Sequence, residues 1–397
     1  MNAPLPSPAK EKIVSALLQA WQAVLDPLTR QPLVHAKNLQ MQTDPATGKL
    51  FAEIALPYPA RSREADLRQR LQQALASDPD LANTEIRFVT RITAHAVPAI
   101  VPPIPGVKNI IAVASAKGGV GKSTTAANLA LALAAEGAHV GLLDADIYGP
   151  SVPLLMNVSG REPEVIDNKL IIPLESHGIR IMSMGFLVGD DKAVIWRAPM
   201  ALKALNQLLH QTRWGTAPDD ELDYLIVDMP PGTGDIQLTM SQRVPLNAAV
   251  MVTTPQDLAL VDVHKGVIMF RKVHVPVLGM VENMAVHICS NCGHHEHIFG
   301  AEGGKTLAQA HDLPYLGALP LAMQIREQSD AGTPTVVADP EGEIAHIYRD
   351  IALQVAAGIA QLPPYQPASF PTYPPERVAQ RMAAQQAEGD QSSSSTL

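Results

Sequence analysis

Residues 115–125 read SAKGGVGKSTT, and no other stretch of the 397-residue chain restricts its fold so tightly. An apolar, β-branched run, NIIAVAS, leads into it, and an Ala- and Leu-rich run, KSTTAANLALALAAEG, leads out. A strand, a glycine turn and a helix in that order make a phosphate-binding loop, in which successive backbone N–H groups and the positive end of the helix converge on a polyphosphate. Gly118, Gly119 and Gly121 let the backbone approach closely, and Ala116, Lys117 and Val120 complete the cradle. Ala116 stands where the strict pattern has its first glycine. Lys122 is placed to pair with the β and γ phosphates, Ser123 to ligate magnesium through its hydroxyl, and Thr124 to bond the α phosphate.

Short apolar runs then recur: HVGLLDAD, IRIMSMGF, YLIVDMP, AAVMVTTP, VPVLGMVEN and LPYLGALP, most of them separated by helix-length stretches. The alternation predicts an α/β fold with a mostly parallel, doubly wound sheet whose ligands sit at the carboxyl ends of the strands. Asp144 and Asp146 in LLDADIYGPS, and Asp228 in LIVDMPPGTGD, fall at such ends. Asp228 reads as a carboxylate of the magnesium shell and the turn from Gly232 to Gly234 as a γ-phosphate sensor.

Ahead of the loop, HAVPAIVPPIPGV holds four prolines in thirteen positions and reads as an extended linker. It implies a small αββαβ domain over residues 1–96, a linker over 97–107, a nucleotide-binding domain over 108–364 and a tail over 365–397. The tail ends in QQAEGDQSSSSTL, too polar to pack a core, and is expected to be disordered. A formal charge of −9, from 39 acidic and 30 basic side chains, argues against a nucleic-acid partner. No run of ~18 uncharged apolar residues predicts a membrane span. The start, MNAPLPSPAKEK, lacks the pattern of a secretion signal, so a cytoplasmic location is expected.

The stretch ICSNCGHHEH contains Cys289 and Cys292, the only two cysteines. Their spacing suits a metal or redox site, yet two thiolates do not complete a tetrahedral centre. A thioredoxin-type dithiol would open a helix after a strand, whereas glycine and histidine follow Cys292. A one-chain Cys2His2 zinc site would draw on His287, His294, His295 and His297, which crowd the cysteines more closely than zinc-finger ligands do.

The form KGGVGKST, with Lys117 ahead of the glycines, resembles the deviant phosphate loop of dimeric ATPases that position septa, partition plasmids, reduce nitrogenase or carry iron-sulfur clusters. With DADIYGPS, DMPPGTGD, ENM and CSNCG…IFGAEGG, the chain over roughly residues 107–360 closely resembles the Mrp/ApbC iron-sulfur cluster carriers, which are P-loop NTPases often preceded by a small α+β domain. The resemblance implies slow, magnesium-dependent ATP hydrolysis, with Lys117, Lys122 and Asp146 as catalytic residues. Lys117 would contact phosphate across a homodimer interface, Asp146 would orient the attacking water and Asn283 would read the adenine edge. It also implies that Cys289 and Cys292 of two chains hold one cluster, of the [4Fe-4S] type, on the two-fold axis. The partners would be apo iron-sulfur proteins and cluster assembly scaffolds. Zinc in the same four sulfurs is the alternative, as in a zinc-bridged targeting ATPase. Such an enzyme would need a Met-rich insertion, and no such block is visible among the 14 methionines. A septum-type positioning ATPase would end in a basic amphipathic helix, whereas EIAHIYRDIALQVAAGIAQL has one arginine and no lysine and reads as a core helix. Two positions depart from the family: Ser290 replaces a common proline, and LPYPARS lacks a cysteine often found there.

Overall fold

A computed structural model of the chain describes residues 7–44, 50–97, 101–167, 169–187, 198–289 and 291–365. The expected disordered tail lies, from residue 366 on, outside the described residues, as does Ser290.

The N-terminal part is built from α1 (Ser7–Trp21), β1 (Leu39–Thr43), β2 (Leu50–Leu56), α2 (Glu64–Leu75) and β3 (Glu85–Thr90). β2 lies in the middle of the sheet, antiparallel to β1 and parallel to β3. In α2, Leu67, Leu71 and Leu75 recur every fourth residue and are fully buried, with Leu17 and Trp21 of α1 buried in the same core. The Trp21 indole donates to the Leu71 carbonyl at 3.0 Å, so its one polar atom is satisfied inside that core.

The larger part opens with β4 (Val107–Ala114), α3 (Lys122–Ala135), β5 (Val140–Asp144) and α4 (Val152–Leu155). The small strands β6 (Val165–Ile166), β7 (Leu170–Ile171) and β8 (Leu174–Ser176) lead to β9 (Ile179–Ser183) and α5 (Ala198–Gln211). Then come β10 (Leu222–Asp228), α6 (Asp235–Arg243), β11 (Ala248–Thr253), α7 (Asp257–Lys272) and β12 (Val277–Glu282). The chain continues through β13 (His287–Ile288), β14 (His295–Glu296), α8 (Gly303–Ala310), β15 (Tyr315–Ala318), α9 (Met323–Asp330), α10 (Thr335–Ala338) and α11 (Glu343–Ala360).

The main sheet has the order β15-β12-β11-β4-β10-β5-β9-β8. Every pairing in it is parallel except β8 with β9, an antiparallel edge that the sequence reading lacked. Helices cover both faces, and residues alternate between them. Ile111, Val113, Ile226 and Val250 point into the core that includes α3 and α11, while Ile110, Ala112, Leu225 and Met251 point into the core that includes α5 and α7. Burial on both faces explains why these strands are continuous apolar runs rather than alternating ones. The terminal α11 is a core helix, with Tyr348, Ile351 and Val355 buried. Because β5 and β11 flank the β4–β10 pair on opposite sides, the strand order reverses at β4, and a ligand crevice opens there at the carboxyl ends.

The two parts form one compact unit up to Pro364. The backbone N–H of Ser62 donates to the buried carboxylate of Glu136 at 2.8 Å, and Arg63 pairs with Asp350 at 2.5 Å. At the proline-rich boundary, the His95 ring bonds the Asn109 amide at 2.9 Å, which fixes the chain against the start of β4. Among the described residues, no helix is long and apolar enough to cross a membrane.

Candidate functional site

Two groups of residues carry chemistry at this sheet edge. The first is the loop from β4 to α3. Gly119 and Gly121 have φ of 81° and 80°, the left-handed region that glycine adopts without a Cβ penalty. Nothing lies where a Cβ would stand on Gly118 or Gly119, so the loop presents an open concave surface. At Gly121 a Cβ would collide with the Asn283 amide. That amide donates to the Val120 carbonyl at 2.9 Å, and its oxygen accepts the Met284 N–H at 2.9 Å. Asn283 is thus packed beneath the phosphate loop with both ends of its amide engaged.

Lys122 heads α3, is only 6 % exposed and donates to Asp228 Oδ1 at 2.5 Å. Its Nζ lies 3.3 Å from the Ser123 hydroxyl and 3.9 Å from Asp146 Oδ2. Parallel pairing sets Asp228 level with Asp144 on β5, so two buried carboxylates stand side by side. Burial and the neighbouring Asp228 charge push Asp144 up to about 7, against the N–H groups of Val152 and Asp146 that bind it. Burial also raises Asp228, and the Lys122 charge and hydrogen bond oppose that rise. Among the described residues, the other oxygen of Asp228 is buried with no hydrogen-bond partner. An unpaired carboxylate oxygen near the Ser123 hydroxyl suits a phosphate-bound divalent cation, which favours hard oxygen ligands.

Lys117 stands apart. It donates to the Leu258 carbonyl at 2.6 Å and lies 3.2 Å from Asp262, both on α7, rather than joining the acids around Lys122. The Gly232 N–H donates to the Ser115 carbonyl at 2.9 Å, tying the Gly232–Gly234 turn to the phosphate loop. Among the sequence-predicted residues, Lys122, Ser123, Asp146 and Asp228 converge, Asn283 underlies them, and Lys117 does not reach them. Thr124 offers its carbonyl to the Asn128 amide at 2.9 Å. Sequence reasoning missed Asp262 and Leu258, which hold Lys117, and Ser183, which donates to Asp144 at 3.1 Å. These residues act from distant elements, and no local motif marks them.

The second group is the cysteine hairpin. β13 and β14 pair antiparallel, His287 with Glu296 and Ile288 with His295, and the turn between them displays both cysteines. The Cys289 N–H donates to the His294 carbonyl at 2.9 Å, and the Cys289 carbonyl accepts from Gly293 at 2.8 Å. Cys292 is exposed and Cys289 half-buried, and both are free thiols. The backbone N–H groups of Asn291 and Cys292, and then the Cys292 thiol, hold Cys289 below the ordinary thiol range. His287 and His297 bond the Leu321 and Ala285 carbonyls through their Nδ1 atoms, fixing the base of the hairpin. Among the described residues, no three His, Cys, Asp or Glu side chains come together to hold a metal.

Comparison with known proteins agrees with this geometry. A family described as ParA, NUBPL iron-transfer P-loop NTPase, matches residues 106–356. An iron-sulfur cluster carrier protein of Pseudomonas fragi is 55% identical over 290 residues, 73% of this chain and 99% of that protein. The iron-sulfur cluster transfer protein NUBPL of Mus musculus is 54% identical over 263 residues, 66% of this chain and 81% of that one. Among solved structures, a nucleotide-binding protein of Archaeoglobus fulgidus in complex with ADP superposes with a TM-score of 0.51 and 37% identity, covering 60% of this chain and 90% of that one. The deviant phosphate loop, the parallel sheet that presents it and the paired cysteines beyond β12 therefore have one common source: the chain belongs to the family of NUBPL-type iron-transfer P-loop NTPases.

Proposed function

We propose that the protein carries an iron-sulfur cluster, of the [4Fe-4S] type, between two copies of the chain and passes it to apo iron-sulfur proteins, with ATP binding and hydrolysis changing the geometry of the pair. The observation that carries this reading is the hairpin: two free thiols displayed together, with no third ligand beside them among the described residues. Four thiolates are needed, and a second copy brought up across a two-fold axis supplies the other two. The relatives, iron-sulfur cluster carrier and transfer proteins, support cluster transfer as the outcome. A reducing cytoplasm would keep both thiols available, and recipients and assembly scaffolds would meet the exposed hairpin directly.

In the nucleotide pocket, Lys122 exchanges Asp228 for the β and γ phosphates, and the backbone N–H groups from Ala116 to Gly121 line the polyphosphate. Ser123 and the freed Asp228 would hold magnesium, whose charge neutralises the phosphate oxygens. Asp146, 3.9 Å from Lys122, would orient the attacking water. Lys117 must leave Leu258 and Asp262 before it can reach the partner's phosphates, and Asn283 must release Val120 before it can meet the adenine edge. Differential binding of ATP and ADP to the two geometries of the pair is what shifts one towards the other.

Anaerobic reconstitution with iron and sulfide tests the proposal. The expected product absorbs broadly near ~400 nm, contains iron and sulfide in equal amounts and activates an apo iron-sulfur enzyme. Colourless protein with stoichiometric zinc would overturn it in favour of a zinc-bridged dimer.

A further inference from the structure

α6 begins at the Gly232–Gly234 turn and ends at Arg243, beside α5. Between α5 and the C-terminal end of α6 lies a groove of about 460 Å³. Its floor is apolar, made by Leu202, Leu205, Leu209 and Val244, and two exposed cations, Lys203 and Arg243, flank it. Among the described residues, no carboxylate lines the groove and neither cation makes an ion pair. In a chain whose net charge is −9, two cations beside one apolar groove, unpaired among the described residues, form a local reversal of sign.

We infer that this groove is the docking site for an acidic, apolar segment of a partner polypeptide, whose aliphatic side chains enter between α5 and α6 while its carboxylates pair with Lys203 and Arg243. The assignment follows from charge complementarity. The guanidinium can grip a carboxylate in two-pronged fashion, the ammonium adds a second charge, and the leucine floor supplies the desolvated anchor on which binding energy concentrates. Opposite charge also speeds the encounter and turns away basic competitors.

The position of the groove gives the docking a consequence. α6 is nine residues long, about 13 Å at 1.5 Å per residue, and its other end is the turn that bonds the phosphate loop through Gly232 and Ser115. A segment seated at Arg243 bears on the helix whose other end is tied to the phosphate loop, so occupancy of either site would bias the other, reciprocally. Identifying the partner as a cluster recipient rests on the carriage function proposed above, whereas the chemistry of the groove does not.

The test is fluorescence anisotropy of the full chain with a fluorescein-labelled peptide of alternating leucine and glutamate, against its leucine–lysine counterpart. The acidic peptide should bind saturably and the basic one should not. The double variant Lys203→Glu/Arg243→Glu should weaken binding at least ~10-fold. Iron loading and ATP turnover should stay unchanged in the absence of peptide. If charge reversal lowers the thermal midpoint, Lys203→Gln/Arg243→Gln takes its place and should weaken binding in the same direction. Equal affinity of the variants, or equal binding of the basic peptide, overturns the inference. Displacement of the peptide by decanoate at equal concentration overturns the polypeptide assignment in favour of a small amphiphile. A chain that binds the acidic peptide but never loads iron leaves the groove standing and removes the carriage function, and a loaded chain indifferent to the peptide does the reverse.

Discussion

The phosphate pocket and the cysteine hairpin lie at the same end of one sheet, yet they are built in opposite ways. The pocket is enclosed: Lys122, Asp144 and Asp228 are buried, the lysine bonds Asp228 at 2.5 Å, and the two acids stand level with one another on adjacent strands. The hairpin rests on two two-residue strands, exposes Cys292 and offers two free thiols. A pocket that must act on charge has to exclude water before its ligand arrives, because fixed dipoles and charges act strongly only where the surroundings do not screen them. A site that must release its cargo cannot be so enclosed. Burial follows the ligand's fate: nucleotide is worked on in place, and the cluster is handed over.

The largest expected effect breaks the hairpin alone. If two chains share one cluster as proposed, Cys289→Ala or Cys292→Ala removes two of its four ligands, so iron content after reconstitution should fall to background while ATP turnover persists. Because neither side chain is core, the thermal midpoint of the unloaded protein should stay within about 1 °C. Fully loaded single variants would place the ligands elsewhere and remove the contrast.

The second effect breaks the pocket alone. Lys122→Ala should lower hydrolysis by ~10²-fold or more, since it deletes a preorganised cation from the site of developing charge. It also strands Asp228 beside Asp144, and losing one partner of a buried pair costs about 3–5 kcal/mol. Asp146→Ala should lose hydrolysis with little change in stability. Both variants should still accept a cluster, read as iron per chain. Failure of either to load would show that the pocket shapes the hairpin and that the two regions are one site.

How much of this contrast the sequence carried depends on how local each device is. The phosphate loop was legible because its chemistry resides in backbone shape, and glycine encodes shape residue by residue. The parallel sheet was legible from its apolar runs, whose burial on both faces leaves no alternation to mislead. The hidden parts are those fixed by tertiary contact. β8 spans three residues and the hairpin strands two each, too short for any periodicity to register. The tether of Lys117 joins residues 141 apart, and the Asn283 support joins residues 163 apart. The Glu136 contact that seats the N-terminal part depends on a single buried carboxylate at a helix end, which in sequence looks like any solvated acid.

A smaller effect sharpens the account of the pocket. Gly121→Ala forces an L side chain into the left-handed region and drives its Cβ into the Asn283 amide, a combined cost of about 2–3 kcal/mol in the melting or urea transition. In an Asn283→Ala background that collision is gone, and only the backbone strain remains. The same glycine change should therefore cost ~1 kcal/mol less there, a coupling that a double-mutant cycle reads directly. Strict additivity would mean that Asn283 does not support the loop.

The smallest effect belongs to a carboxylate in neither region, and it separates acids that stabilise the fold from those that strain it. Burial and Asp228 push Asp144 up to about 7, so keeping it ionised in the nucleotide-free pocket works against the fold. Asp220 is the reverse case. The Thr216 hydroxyl, then the Arg180 guanidinium, hold it down to about 2, against an unfolded value near ~3.9. An acid with a depressed folded pKa contributes stability that is fully present above ~4 and is lost as pH falls from there through about 2. With a third of the side chain in water, solvent screening keeps that contribution below ~1 kcal/mol. Asp220→Asn should therefore unfold at slightly lower urea than the parent at pH 7, and the difference should shrink towards zero as pH approaches about 2. A difference that grows on acidification would mean that Asp220 acts through the shape of its hydrogen bonds rather than through its charge, and the distinction between the two acids would then lie in packing alone.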